Sequence, residues 1–297
     1  MELQWPLIIF STFVAWSSGL FVTQGIYALK GQGIKAQMKA LITAVVILAI
    51  GGIAVTFHLQ HFERIFNGFG HLTSGITQEL IGMVVMVIFM IIFFSYLRRG
   101  GLEAQIPKWL AICTIVIGVV MVCVCAHSYN MASRPAWDSI LQILSLLGAS
   151  CILGPGTFAF LLAISQKEGE AETEGETALT GLVNFYGSIA GAVLQVVYLI
   201  AMCFIQTTTY ASTYFDPTSP TKDITTAAST NPFAGDALVW SILVIVACIG
   251  AVVCAFMGKK KGNWKICGIV IAACGVIAAI ALRVVFYMMG ISVYPFY

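Results

Sequence analysis

Eight apolar runs, each of about twenty residues or more, account for most of this chain of 297 residues. A helix of about that length crosses the hydrocarbon core of a bilayer. The chain is 59% apolar and only 9% charged, whereas a soluble domain carries about 25% charged residues. Because folding alone cannot keep so much apolar surface out of water, the runs predict membrane spans. They lie at about residues 6–29, 39–59, 77–97, 107–130, 137–165, 179–205, 235–257 and 264–290.

The spans must be helical, because the bilayer interior offers no water to the backbone and a helix satisfies its own N–H and C=O groups. The alternation of apolar and polar residues that is typical of a membrane barrel is absent from the sequence. None of the polar stretches between the runs is long enough for a globular domain. We therefore predict an all-α integral membrane protein, a single domain over residues 1–297 built as a bundle of about eight transmembrane helices.

Positive charges lie mainly on one side of the predicted spans. The first, third, fifth and seventh connections carry eleven Lys and Arg residues, and the opposite connections carry three. Since cytoplasmic loops are enriched in Lys and Arg, this bias predicts that both termini lie on the outer, periplasmic side of the inner (cytoplasmic) membrane. On this topology residues 166–178 form an acidic, solvated cytoplasmic loop, and residues 206–235 form a polar outer loop.

Composition argues against two kinds of site. No stretch is both strongly basic and aromatic, so nucleic acid is not an expected partner. All nine cysteines fall inside apolar runs, without C-x-x-C spacing and without a histidine at ligand spacing. Free cysteine in such surroundings behaves as a small hydrophobic residue. We therefore predict no metal site in this chain.

Ionisable residues cluster toward the outward ends of the spans, and such groups near a membrane core suggest function. His58 ends the second run and Glu79 begins the third. The connection between them contains Arg64 and Asn67, and its shortness makes the two runs antiparallel neighbours. A histidine and a glutamate that face one cavity can accept protons. Each is also explained by favourable interaction with a helix terminus.

The residues by themselves leave other functions open. His58 and His127 could hold one haem, whereas two haems would need ligands at two depths, and all four histidines lie toward the outside. A transporter usually has broken helices and polar groups near the midplane. Here the midplane holds little beyond Pro155, whose Gly-Pro-Gly sequence should kink the fifth helix, and Arg283. Arg283 either extends to the outer surface or faces the bundle interior.

Several short motifs occur in the first half of the chain. They are WPLIIF at residues 5–10, an H-L-x-x-x-x-R-x-x-N pattern at His58, Leu59, Arg64 and Asn67, Glu79 at the start of the third run, the pair Tyr129-Asn130, and a Pro-x-Trp at Pro135 and Trp137. With these motifs and its eight spans, the chain resembles the membrane-anchor subunits of the anaerobic dimethyl sulfoxide reductase family. It departs from the family pattern at Gln60, His61 and Phe62, where small residues and a proline are common.

The resemblance implies a function that composition does not. Such subunits anchor a molybdopterin catalytic subunit and a four-cluster iron–sulfur subunit on the outer membrane face, and they oxidise menaquinol without a haem. Menaquinol would then be the substrate, drawn from the membrane lipid, and the redox cofactors would lie in the partners. The resemblance assigns quinol oxidation to His58 and Glu79. The residues expected to bind quinol are His58, Arg64, Asn67, Glu79, Tyr129 and Asn130.

Overall fold

The computed structural model describes residues 3–58, 70–101, 104–166, 174–211, 223–229 and 231–293. Within these ranges, eight helices are long and apolar enough to cross a membrane, which confirms the predicted helical bundle. They are α1 (Trp5–Leu29), α2 (Ile34–Thr56), α3 (Gly75–Gly100), α4 (Lys108–His127), α5 (Ile140–Ala163), α6 (Glu174–Met202), α7 (Ala237–Lys261) and α8 (Trp264–Met288).

Helix α6 begins five residues before the apolar run that predicts it. Its first turn contains Glu174 and Glu176, and acidic side chains are stabilised at a helix N-terminus by the macrodipole. Residues 174–178, expected as part of the acidic loop, are therefore helical. The carboxylate of Glu176 also accepts a hydrogen bond of 2.8 Å from the backbone N–H of Gly33, a residue with φ +72° that precedes α2. The remainder of that loop, residues 167–173, lies outside the described residues.

Helices α1 and α5 lie at the centre of the bundle. Helix α1 packs mainly on α2, α4 and α5, and α5 packs mainly on α1, α6 and α8. The two central helices approach closely where Gly154 lies against the carbonyl of Gly19, and where Gly19 lies against the carbonyl of Ser150. Small residues allow such backbone contact between membrane helices. The contact joins one half of the molecule, α1–α4, to the other, α5–α8.

Helix α5 continues through Pro155. Proline has no N–H to donate to the carbonyl of Cys151, four residues earlier. Gly187 of α6 lies against this carbonyl, and a Cβ at Gly187 would be only 2.6 Å from the oxygen. The Gly-Pro-Gly sequence is therefore a site of close helix packing, and the kink expected there stays a prediction.

The connection between α6 and α7 contains a β hairpin. Strand β1 (Gln206–Ala211) pairs antiparallel with β2 (Asp223–Ser229), with an irregularity in register between Thr209 and Tyr210. Both strands are rich in threonine, and β-branched residues favour extended backbone. The polar loop expected over residues 206–235 thus adds a short β element to the helical fold.

Candidate functional site

A cavity of about 280 Å³ lies where the ends of several helices meet. It is lined by residues at the start of α1, the end of α2, the first turns of α3, the segment after α4 and the end of α8. Most of its wall is apolar. Its polar and charged lining residues are Gln4, His58, Glu79, Ser128, Tyr129, Arg134 and Tyr287. These groups come from both the first and the last helix, so only the folded bundle brings them together.

Three of the predicted quinol-binding residues line this one cavity: His58, Glu79 and Tyr129. Asn130 does not line it, and its amide oxygen is buried without a hydrogen-bond partner among the described residues. Arg64 and Asn67 lie outside the described residues. The structure therefore brings together half of the predicted set.

Glu79 lies one turn into α3 and is only 7% exposed. The Ser128 hydroxyl donates a hydrogen bond of 2.5 Å to its carboxylate. This contact depends on Gly75, at the first position of α3, because a Cβ there would lie only 2.9 Å from the Cα of Ser128. Glycine thus allows the start of α3 to approach the end of α4. A buried carboxylate with a hydroxyl donor is the result.

His58 follows the C-terminus of α2 directly. Its backbone N–H donates to the carbonyl of Val55 at 3.0 Å, which continues the last turn of the helix. The residue is exposed in this chain, and its side chain lines the cavity. An imidazole in this position can exchange protons between the cavity and water. His127, at the end of α4, is exposed but does not line the cavity.

Tyr129 is 8% exposed and lies between the cavity and α8. Its ring contacts Phe286 edge to face, with centroids 6.0 Å apart, and Tyr287 in the same manner at 6.5 Å. Burial raises the pKa of the Tyr129 phenol well above its usual value, and the neighbouring Tyr287 and Glu79 raise it further. The hydroxyl group therefore stays protonated and can act as a hydrogen-bond donor.

Arg283 faces the bundle interior, which decides between the two orientations considered from the sequence. It is 5% exposed, and its guanidinium lies 5.2 Å from the ring centre of Tyr129 and 5.0 Å from that of Phe286. These aromatic faces stabilise the cation. Its Nε and Nη2 atoms are buried without a hydrogen-bond partner in the described part of the chain.

Trp137 and Arg134 connect the segment after α4 to the end of α8 through hydrogen bonds and ring contacts. The indole N–H of Trp137 donates to the carbonyl of Phe286 at 2.7 Å, and the two rings stack 4.5 Å apart. Arg134 donates to the carbonyl of Gly290 at 2.7 Å and lies over the Trp137 ring. The Pro-x-Trp motif therefore supports one wall of the cavity.

Sequence reasoning did not select Ser128 or Arg134 as site residues. Ser128 directly precedes the Tyr129-Asn130 pair, and Arg134 stands in the same connection, between α4 and α5, so their positions were the available signal. Ser128 is the C-cap residue of α4, and a serine at that position does not by itself indicate a functional site. Its function here follows from the tertiary contact with Glu79.

The described residues contain no group of three or more His, Cys, Asp or Glu side chains that could hold a metal ion. All nine cysteines are free thiols. Cys125, beside the cavity, is fully buried, whereas Cys203 lies just past α6 and is exposed.

Known proteins with similar sequences agree with this architecture. Residues 1–289 match the family described as DMSO reductase anchor subunit (DmsC). The C subunit of the anaerobic dimethyl sulfoxide reductase of Escherichia coli (strain K12) is 28% identical over 183 residues, which cover 57% of this chain and 61% of that protein. The match to this relative thus spans less than two thirds of its length. The family match covers nearly the whole chain and the eight helices make a multi-pass inner-membrane protein, so this chain belongs to the DMSO reductase anchor subunit family.

Proposed function

We propose that this chain is the membrane anchor and menaquinol-oxidising subunit of a molybdopterin/iron–sulfur reductase. It takes electrons from menaquinol and passes them to a partner iron–sulfur subunit, which delivers them to a molybdopterin catalytic subunit. The observation that carries the proposal is the single cavity lined by His58, Glu79 and Tyr129. Membership of the anchor-subunit family supports it.

The cavity suits the head group of a quinol. Its volume of about 280 Å³ is near the lower end of the range for small-molecule sites, which combine apolar walls with a few polar groups. Apolar side chains such as Phe10, Ile76 and Met83 line the cavity and offer apolar surface to an aromatic head group. His58 and the Glu79 carboxylate offer acceptors for the hydroxyl groups.

Oxidation of a hydroquinone to a quinone releases both hydroxyl protons and an electron pair, so the site needs proton acceptors. His58 accepts a hydrogen bond from one hydroxyl and takes its proton as the electrons leave. Because His58 is exposed, it returns that proton to the water outside. Glu79, held by Ser128, accepts or relays the other proton. The two electrons would leave the quinol one at a time for the iron–sulfur subunit, whose clusters would accept single electrons.

The other predicted residues have supporting functions in this proposal. Arg64 and Asn67, in the connection between α2 and α3, orient the head group or bind the iron–sulfur subunit. Asn130 follows Tyr129 directly and contributes to the quinol site through the backbone turn that positions that tyrosine, where its N–H donates to the carbonyl of His127 at 2.9 Å.

The proposal is tested with His58→Gln and Glu79→Gln in the assembled complex. Each change keeps a polar side chain of similar size but removes a proton acceptor. We expect each variant to lower the rate of menaquinol oxidation by roughly a hundredfold or more. Reduction of the terminal substrate by a soluble dye that donates electrons to the partner subunits should remain normal.

His127→Gln is the matched control, because His127 also ends a helix and is exposed but does not line the cavity. Its quinol oxidation should equal that of the wild type. Normal menaquinol oxidation by the His58→Gln complex would show that the assignment is wrong. A haem absorption band that is lost in both histidine variants would favour the alternative of a bis-histidine haem.

A further inference from the structure

A long apolar groove separates α2 from α3. Its volume is about 690 Å³, and among the described residues its lining comes from these two helices alone. The buried side chains of Leu48 and Met90 form part of its floor. From Leu80 to Phe94 the groove follows α3 for about 21 Å, at the helical rise of 1.5 Å per residue. A groove of this shape fits an extended hydrocarbon chain.

The groove is continuous with the cavity that contains His58 and Glu79. Leu80 and Met83 line both spaces. Because Leu80 directly follows Glu79, the wall that the cavity and the groove share begins next to the Glu79 carboxylate. A ligand with a compact polar head and a long apolar chain can therefore occupy both spaces at once.

The packing of α3 explains why the groove is open. Helix α3 packs mainly on α4 and touches α2 only slightly. Its contacts with α4 use glycines: Gly75 lies against Ser128, and Gly82 lies against the sulfur of Met121. Because α3 lies close to α4, the side of α3 that faces α2 stays separated from α2.

An apolar surface groove is not unusual in a membrane protein, so the junction with the cavity is the informative feature. A second apolar groove, of about 380 Å³, lies between α6 and α7. None of its lining residues also lines the cavity. Both grooves are apolar, but of the two only the groove between α2 and α3 meets the cavity. The groove between α6 and α7 therefore serves as a control.

We propose that the groove between α2 and α3 binds the isoprenoid tail of the quinol whose head group occupies the cavity. This inference rests on the proposed quinol-oxidising function. The tail leaves the cavity past Leu80 and Met83 and lies along α3, so the same opening admits quinol sideways from the bilayer. The tail reaches the groove from lipid and not from water, so the groove binds it through packing and shape.

The first test fills the groove with a large side chain in the assembled complex. Val84 lines the groove and is 49% exposed, and Val193 lines the control groove and is 53% exposed. Val84→Trp should raise the KM for long-tailed menaquinol by about tenfold, which corresponds to about 1.4 kcal/mol of lost packing between the tail and the groove. It should leave the KM for menadiol unchanged, since menadiol has the same ring system without a tail. Val193→Trp should change neither value.

Equal effects of Val84→Trp on both quinols, or no effect on either, would overturn the tail site. The proposed function has a separate outcome: if the wild-type complex oxidises neither menaquinol nor menadiol, quinol oxidation itself is wrong.

A second test locates the tail directly, with a menaquinone that carries a photoreactive diazirine at the tail end, in vesicles that contain the complex. We expect adducts on α2 and α3, which excess unlabelled menaquinone removes. Adducts equally abundant on α7, or adducts that excess menaquinone does not remove, would show that ordinary lipid fills the groove and would overturn the proposal.

Discussion

Arg283 is a buried cation in a membrane span, and the free-energy cost of burying its charge is not offset by a full set of hydrogen bonds. Two of its nitrogen atoms lack hydrogen-bond partners in the described part of the chain, and an uncompensated buried charge destabilises a fold. The positive charge of Arg283 and the Glu79 carboxylate both interact electrostatically with the Tyr129 phenol. We therefore expect Arg283 to contribute more to the function of the site than to the stability of the fold.

We expect Arg283→Met to separate these two effects. Methionine fills similar apolar space, so the midpoint of thermal unfolding in detergent should stay the same or rise. Menaquinol oxidation should fall by about tenfold, because loss of a nearby positive charge worth about 1–2 kcal/mol removes stabilisation of negative charge at the site. A variant that unfolds at lower temperature would contradict this account and make Arg283 a structural residue.

Tyr129 allows a prediction about pH. A tyrosine is neutral below its pKa, and burial raises the pKa of Tyr129 well above the usual value. The phenol should therefore remain protonated between about pH 5 and about pH 9. Tyr129→Phe should lower kcat/KM for menaquinol several-fold, through the loss of one hydrogen-bond donor, without moving the pH profile. A shift of the alkaline limb in the phenylalanine variant would show that Tyr129 titrates in the working range.

At the scale of the helices, Gly75 controls how closely α3 approaches α4. A Cβ at this position would meet both the Cα and the Cβ of Ser128. Gly75→Val should push the start of α3 away, break the hydrogen bond from Ser128 to Glu79, and lower menaquinol oxidation by at least about tenfold. The rate of menaquinol oxidation by the assembled complex measures this effect.

Gly52→Ala is the control for Gly75→Val. Gly52 lies inside α2, and no atom of the part of the chain that the structure describes lies within 4 Å of an added Cβ there. Alanine at that position should leave oxidation unchanged and stabilise the helix by about 0.5–1 kcal/mol. If Gly75→Val oxidised menaquinol as fast as Gly52→Ala, the close contact of α3 with α4 would not be needed for activity.

The helices could be predicted from the sequence because apolar runs of this length have one stable structure in a bilayer. The start of α6 could not, because hydropathy counts Glu174 and Glu176 against a span, whereas a helix N-terminus stabilises them. The β hairpin was missed for a similar reason: a polar, threonine-rich stretch carries no apolar signal.

The site shows the same division between local and tertiary information. His58 and Glu79 could be selected because ionisable residues near a membrane core suggest function, and because the resemblance to the anchor-subunit family assigns quinol oxidation to these two positions. Ser128 joins the site only through the approach that Gly75 allows. Asn130 is adjacent to Tyr129 in sequence but does not line the cavity. The turn that follows α4 separates these two neighbouring side chains, and adjacency in sequence does not show that.

At the scale of the whole molecule, the position of the cavity relative to the membrane decides where its protons go. The cavity lies at the same end of the bundle as the start of α1 and the end of α8. The bias of Lys and Arg toward the other end predicts that this end faces the periplasm. Quinol oxidation at the site would then release protons outside.

Reporter fusions can test this orientation. Alkaline phosphatase joined after residue 293 should be active, since it folds only in the periplasm, and green fluorescent protein joined there should be dark. Fusions truncated after Gly262, between α7 and α8, should give the opposite pair of results. Active phosphatase at Gly262 together with fluorescence at residue 293 would invert the topology, because both reporters would then place the cavity on the cytoplasmic side. Proton release would be cytoplasmic in that case, and an iron–sulfur partner docked at the cavity would have to lie there too.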